Sequence, residues 1–438
     1  MQYLPNIIFA IVLIIGVGFF VKNIRKLIRN IKLGKAVDRS DNKPARWKNM
    51  AKIALGQYKM VRRPVSGILH VAVYLGFVII NIEVLEIIID GLFGTHRVFQ
   101  PLLGDAFYGF LIATFEILAA LVFIAVVIFW IRRNVIRVKR FWNKEMTAWP
   151  KNDGNIILYF EMVLMSLFIV MNATDFHFQE AGVGNIISQF IAPLFNGTSV
   201  ETLHVIEQSA WWVHIIGILV FLNYLYYSKH LHILLAFPNT FYAKLKPKGQ
   251  LDNLEAVTKE VQLMMDPSAD PYAAPPEGAE DEVPEKFGAS DVADLNWVQL
   301  MNAYTCTECG RCTSACPASI TGKELSPRAI MMKTRDRMEE VGKNIDANGG
   351  EFKDDGKQLL NDYISPEELW ACTSCNACVQ ECPVNIDPLS IIMDMRRYLV
   401  MEESAAPQEL NMMMTNIENN GAPWQYNQMD RLNWKDEE

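Results

Sequence analysis

All eight cysteines of this 438-residue chain fall in two short runs that repeat one spacing. The first is Cys306-Thr-Glu-Cys309-Gly-Arg-Cys312-Thr-Ser-Ala-Cys316-Pro317, and the second is Cys372-Thr-Ser-Cys375-Asn-Ala-Cys378-Val-Gln-Glu-Cys382-Pro383. Each reads C-x2-C-x2-C-x3-C-P. Three closely spaced thiolates wrap one [4Fe–4S] cube, while the fourth cysteine, before the proline, ligates the other cube in two-cluster ferredoxins. The expected ligand sets are Cys306, Cys309 and Cys312 with Cys382, and Cys372, Cys375 and Cys378 with Cys316. Structural zinc usually shows two separated C-x2-C pairs instead. Disulfides fit less well, because such spacing crowds thiols that cluster iron would hold.

The rest of the chain divides into two materials. Hydrophobic residues make up 51% of it, and the surplus is concentrated before residue 240. The net charge of −8, with acids gathered in the second half, offers no basic field for nucleic acid. Apolar runs at about 5–21, 66–90, 107–131, 156–177 and 208–236 are long enough to cross a bilayer and apolar all round, so residues 1–240 read as a five-span membrane domain. Lysines and arginines follow the first run instead of preceding it, which marks a retained helix rather than a signal peptide.

Basic residues set the expected orientation. They crowd 22–63 and 132–140, whereas the loop 91–106 has only Arg97 and 178–207 has neither lysine nor arginine. By the positive-inside bias the N-terminus lies outside and everything after the fifth span lies in the cytoplasm, in an inner (cytoplasmic) membrane protein. Reducing conditions there suit iron–sulfur clusters. The outer loop 185–195 reads as a short surface helix.

Residues 241–290 turn to proline, alanine and acids, as in Ala274-Pro-Pro-Glu-Gly-Ala-Glu-Asp-Glu, and read as an extended linker. Residues 291–402 read as a small helical domain around two clusters, with helices near 294–304, 326–342 and 387–402. Residues 403–438, rich in Met, Asn and Gln, show no period and suit a partner-binding or disordered tail. The fold class is all-α: a transmembrane bundle followed by a helical ferredoxin domain.

Ionisable residues within spans are costly and mark function. His214 and His232 are 18 residues apart, five turns of one straight helix and about 27 Å, so one histidine would face each membrane surface. His70, near the start of span two, lies at the depth of His232, and the two can hold a b haem as bis-histidine ligands. His230 is turned away from that face. A second haem on His214 would need His177 or His204, with His96 more distant; otherwise His214 is a bundle residue or part of a quinone site. Gly67, Gly76 and Gly217 would let a flat macrocycle approach, and Arg62, Arg63 and Lys229 sit where propionates would emerge. Glu83, Glu86 and Glu116 fall in the outer half, where quinol oxidation would release protons. Glu161 fits a packing role.

With these residues in view, the membrane half, with His70 and the Tyr227-Ser-Lys-His-Leu-His232 segment, resembles the five-helix cytochrome b subunit of respiratory nitrate reductase and its relatives in membrane-bound heterodisulfide reductase. Residues 290–400 resemble the two-cluster domain of the heterodisulfide reductase small iron–sulfur subunit, and are similar to those of succinate dehydrogenase and anaerobic glycerol-3-phosphate dehydrogenase. The two-haem pattern of the family has a second histidine about ten residues after the first, and here that position is Ile80. The resemblance therefore implies one haem b and leaves a second open.

It further implies an electron-transfer subunit working between a quinone, such as menaquinone, and a cytoplasmic catalytic partner with Cys-Cys-Gly motifs, in a hetero-oligomeric membrane complex. The chain has no G-x-G-x-x-G after a strand, no P-loop and no spare cysteine, so hydride or substrate chemistry falls to that partner. Spacing does not set the direction of electron flow. Two other readings are a membrane-anchored iron–sulfur sensor or scaffold without haem, and an ion-translocating module using the three glutamates.

Overall fold

Hydrophobicity that runs all round a helix requires an apolar surrounding, and the computed structural model, described for residues 3–268 and 286–436, has five such helices. In chain order the first half is α1 (Leu4–Ile31), α2 (Lys43–Met50), α3 (Pro64–Phe93), α4 (Phe99–Leu103), α5 (Asp105–Asn134), α6 (Ala148–Thr174), α7 (Phe176–Ala181), α8 (Ser188–Ile191), α9 (Val200–Tyr224) and α10 (His232–Phe241). Helices α1, α3, α5, α6 and α9 with its 3₁₀ extension to Tyr227 are long and apolar enough to cross a membrane, and the chain is a multi-pass membrane protein. Helices α1, α3 and α5 run beyond the expected limits at both ends, whereas α6 and the fifth span both begin and end earlier than expected, at Thr174 and Tyr227. Pro64 opens α3, and Gly94, at φ +68°, closes it by donating its N–H to Asp90. Asp175 and Ser199 cap α7 and α9. The expected surface helix at 185–195 is α8 and the 3₁₀ turn Ala192–Phe195.

The fifth span departs from the expectation of one helix over 208–236. Helix α9 stops at Tyr224, and two 3₁₀ turns follow, Leu225–Tyr227 and Lys229–Leu231, separated by an extended Ser228. The cause is Asp153 of α6. Its carboxylate accepts from Tyr224 Oη and Ser228 Oγ, both at 2.7 Å, and from the Lys229 amide at 3.1 Å. Three donors on one buried acceptor hold the chain out of helical geometry. His232 therefore opens its own helix, α10, and the one-face relation expected between His214 and His232 does not hold.

The second half comprises α11 (Glu255–Met265), α12 (Trp297–Thr305), α13 (Arg311–Ala315), α14 (Pro317–Ile320), α15 (Pro327–Ala347), α16 (Leu359–Asp362), α17 (Pro366–Trp370), α18 (Ala377–Glu381), α19 (Pro388–Met401) and α20 (Gln408–Asn420). The architecture is all-α; among the described residues there are two isolated β-bridges and no strand. Part of the expected linker is helical, since Glu255–Met265 precedes the proline-rich stretch and carries an i,i+4 pair, Lys259 to Glu255 at 3.3 Å. Residues 269–285 of it lie outside the described residues. In the tail, α20 is helical but exposed.

The cluster-bearing half is docked on one end of the bundle. Lys26 and Arg29, at the end of α1, pair with Asp346 of α15. Asn30 Nδ2 donates to Tyr304 Oη at 2.9 Å. Lys35 exchanges backbone hydrogen bonds with Leu295 and Trp297. At Gly34 a Cβ would come within 2.7 Å of the Asn296 and Trp297 backbones, so only glycine lets these segments touch.

Candidate redox sites

Each cysteine run repeats one backbone conformation. The residue before the second cysteine is left-handed in both, Glu308 and Ser374 at φ +52°, and so is the residue after it, Gly310 at +70° and Asn376 at +60°. Such turns gather backbone N–H groups into a concave, anion-holding nest of the kind found at iron–sulfur sites. Accordingly the Ser374 amide donates to Cys372 Sγ at 3.4 Å, and the Ile386 amide to Cys382 Sγ at 3.3 Å.

The two runs lie side by side. Helices α13 and α18 pack together. The thiols of each run lie within electrostatic reach of the other: Cys382 of Cys309, Cys372 and Cys378 of Cys316, and Cys312 of both Cys382 and Cys378. Burial pushes the thiols of Cys306 and Cys378 up to about 12 and that of Cys382 to about 11. Thiolates at such positions need bound cations, which cluster iron supplies. Cys306, Cys316, Cys378 and Cys382 are buried, while Thr373, Ser374 and Cys375 are exposed. The second run thus presents the cluster domain's open face.

Both runs touch the membrane half. The loop before α3 is clasped from both runs: Lys59 Nζ donates to the carbonyls of Val379 at 3.2 Å and Cys382 at 3.1 Å, and Arg311 Nη1 donates to the Lys59 carbonyl at 3.1 Å. Arg63 pairs with Glu381 at 2.9 Å. Two turns into α3, His70 faces His232, with ring centres 6.4 Å apart and planes at 41°. His70 Nδ1 is buried and has no hydrogen-bond partner among the described residues, whereas His232 Nδ1 lies 3.1 Å from the Lys229 carbonyl. His230 turns to Phe221 and to Glu161, 3.7 Å away.

The other histidines are not gathered with His214. That residue is 2% exposed, and the ring facing it is Phe168, with centres 6.3 Å apart. His204 bonds Glu207 at 3.0 Å, His96 lies 3.4 Å from Asp175, and exposed His177 stands edge-on to Phe176. The space beside the three glycines is already taken by protein: Val61 at Gly67, Val122 at Gly76 and Leu164 at Gly217. They let chain segments approach one another, which corrects their expected role toward a macrocycle. Arg62 lies over the Tyr58 ring, and Lys229 is held by Glu308, so neither is a free propionate anchor.

At the far end of the bundle, a cavity of about 320 Å³ opens between α1, α3 and α9. Phe9, Trp211 and Trp212 form aromatic walls, and Glu83, Glu86, Asp90, His96, Arg97 and Asp175 line its polar side. Arg97 Nε donates to Asp175 at 2.9 Å, and Arg97 Nη2 to Asn172 at 3.1 Å. Glu86 is occupied, accepting from Tyr108 Oη at 3.0 Å and the Phe99 amide at 2.8 Å. Glu83 is 4% exposed, and its Oε2 has no partner among the described residues. Glu116 does not line this cavity; it accepts from Asn172 and from the amides of Ile187 and Ser188, which pins the start of α8.

Sequence reasoning missed Asp153, Glu308 and the Arg97–Asp175 pair. Of these only Arg97 carried a signal, as the lone cation of its loop.

Residues 305–386 match the family model described as a 4Fe-4S dicluster domain. Along 98% of its length the chain is 29% identical to the probable iron-sulfur-binding oxidoreductase FadF of Bacillus subtilis (strain 168), covering 61% of that protein. It is 24% identical, again over 98% of its length, to EtfAB:quinone oxidoreductase of Syntrophomonas wolfei, covering 59% of it. Over 25% of its length it is 30% identical to a component of the ferredoxin/F(420)H(2)-dependent CoB-CoM heterodisulfide reductase of Methanosarcina acetivorans, covering 53% of that component. The chain thus spans about three fifths of the length of the first two relatives. No solved structure matches. The match to a heterodisulfide reductase component bears out the resemblance read from the cysteine runs, and both halves align together with the longer relatives. The chain therefore joins a five-helix membrane unit to a two-[4Fe–4S] domain, and its role is iron–sulfur electron transfer.

Proposed function

We propose that the chain is a membrane-anchored electron-transfer subunit of a quinone-linked oxidoreductase, working between a quinone, one b haem at His70 and His232, and the two clusters. One observation carries the reading: two histidines from different helices face each other 6.4 Å apart, beside a loop clasped by both cysteine runs. A metal–nitrogen bond of about 2 Å on each side, with about 1.1 Å from each nitrogen to its ring centre, spans about 6 Å. His70 and His232 would therefore be the residues to hold the iron of a haem. Bound there, a haem would supply single-electron chemistry, as would the clusters.

The protein's own residues supply the rest. Phe9, Trp211 and Trp212 offer flat apolar walls to a quinone ring, in a cavity of ordinary ligand size. Glu83, with a free oxygen, accepts the hydroxyl proton as a quinol is oxidised; Glu86, Tyr108 and Arg97 hold the polar wall in place. By the positive-inside bias this cavity lies on the outer side and the clusters in the cytoplasm. Glu83 follows His70 by 13 residues, about 20 Å of helix rise, which the breadth of the two ring systems shortens. His214, beside Phe168, is a buried bundle residue in this reading and holds no second haem.

Electrons leave or enter at the exposed loop of Cys375. The partner there is a cytoplasmic redox protein of heterodisulfide reductase type, or EtfAB, as in the name of the Syntrophomonas relative. The optical spectrum of the purified protein, oxidised and dithionite-reduced, tests the core of this with haem and iron counted per chain. One b haem with about eight non-haem irons is the expected result. Iron without haem overturns the cytochrome assignment.

A further inference from the structure

Lys229 bonds both to the histidine pair and to the first cysteine run. Its backbone is fixed by Asp153, and its carbonyl meets His232 Nδ1 at 3.1 Å. A ligand histidine is aimed, and its basicity tuned, by the hydrogen bond on its other nitrogen. The side chain reaches the first cysteine run, with Nζ also 3.7 Å from the Asp153 carboxylate. Lys229 Nζ donates to Glu308 Oε2 at 2.6 Å and to the Pro150 carbonyl at 2.6 Å, and it is only 10% exposed.

Glu308 lies between Cys306 and Cys309 and is 3% exposed. Its other oxygen meets Arg335 Nη2 at 2.8 Å, and its carbonyl accepts from Arg328 at 3.3 Å. A non-glycine residue held at φ +52° costs about 1–2 kcal/mol and persists only when its surroundings fix it. Lys229 and Arg335 do so here. A buried carboxylate within a cluster-binding loop opposes the added electron on that cluster, and a buried ammonium against it offsets this opposition.

We propose that Lys229 is a positioning residue that locks the first cysteine loop to the His232 segment and raises the reduction potential of the cluster held by that loop. The inference rests on the reading of His70 and His232 as a haem pair, though its cluster half does not depend on it.

The test uses the full-length protein with K229M, E308Q, the double variant and K229R, each titrated potentiometrically with EPR for the clusters and optical spectra for haem. K229M leaves Glu308 with one cation fewer, so the reduction equilibrium of the first-run cluster should fall on the order of tenfold, about 59 mV for one electron. E308Q should raise it, the double variant should return near the parent value, and K229R should restore most of it. In K229M the spin coupling between oxidised haem and reduced cluster should also weaken. If K229M and E308Q both retain the parent cluster potential, or move it in the same direction, the proposal falls. Should K229M fail to assemble, K229Q is titrated in its place, and a first-run cluster potential equal to the parent's overturns the proposal. A parent protein without haem would overturn the haem reading, while the opposed cluster shifts would still be read.

Discussion

The rings of His70 and His232 stand 6.4 Å apart on helices from different parts of the chain, α3 within the bundle and α10 against the cluster-bearing half. Replacing either with alanine should remove the same b-type absorption and leave both EPR cluster signals. A variant that keeps full haem content breaks the pairing. His214→Ala should retain the haem.

The C-x2-C-x2-C-x3-C-P pattern predicts which cluster each fourth cysteine serves. Cys382→Ser should disturb the signal of the cluster on Cys306, Cys309 and Cys312, because the cysteine before the proline ligates the other run's cube in two-cluster ferredoxins. Cys316→Ser should disturb the other. Mössbauer or EPR spectra of the two variants, compared side by side, give the check, and disturbance of a cysteine's own run would reject the exchange.

Glu83 and Glu116 should separate cleanly. Glu83→Gln removes the free proton acceptor in the cavity, so quinol oxidation should drop on the order of 10²-fold with haem and iron unchanged. Glu116→Gln instead weakens the acceptor for Asn172 and two backbone amides. It should cost about 1–3 kcal/mol in unfolding stability and leave the rate per folded molecule near normal. Equal effects of both substitutions on rate would refute the assignment.

The rim of the cavity should respond to pH through His96. Its hydrogen bond to Asp175 raises the imidazole above its ordinary 6.5, against the lowering effects of burial and Arg97. Burial raises Asp175, but His96 and Arg97 outweigh it and hold that carboxyl well below the usual range. The His96–Asp175 attraction is then fully present below pH 6.5 and is lost as pH rises through the raised value. Amide exchange over residues 94–98, corrected for intrinsic rates, should become faster above that point. His96→Ala should abolish the step.

Gly34→Ala should loosen the docking of the two halves. A methyl group there meets the backbone of Asn296 and Trp297 at 2.7 Å, and backbone has little room to yield. A cost of about 1–3 kcal/mol is expected, read as faster proteolysis between residues 32 and 42 with the five spans intact.

Much of this was legible in the sequence. The cysteine spacing carried the cluster domain, since a nest around an iron–sulfur cube leaves few ways to place three thiolates. Four of the five spans were legible because hydrocarbon demands an unbroken apolar run. The fifth was misread for a definite reason: the sequence from Tyr224 to His232 has ordinary helix formers, and the break comes from Asp153, some 70 residues earlier in the chain. Glu308 was invisible for a similar reason, as nothing local to a cysteine run says which cation will reach it. Glu116 looked like Glu83 in sequence, and only the amides of α8 tell them apart.

The interruption at Ser228 bears on how the two halves hold together. Because His232 rides on α10, which packs against α12 rather than continuing the membrane helix, the five spans alone cannot present both rings. Helix α10 is held from both sides, by α2 of the first half and by α12 of the second, so the pair sits where the two halves meet. A cofactor gripped by both histidines would then act as a seal on the two docked halves.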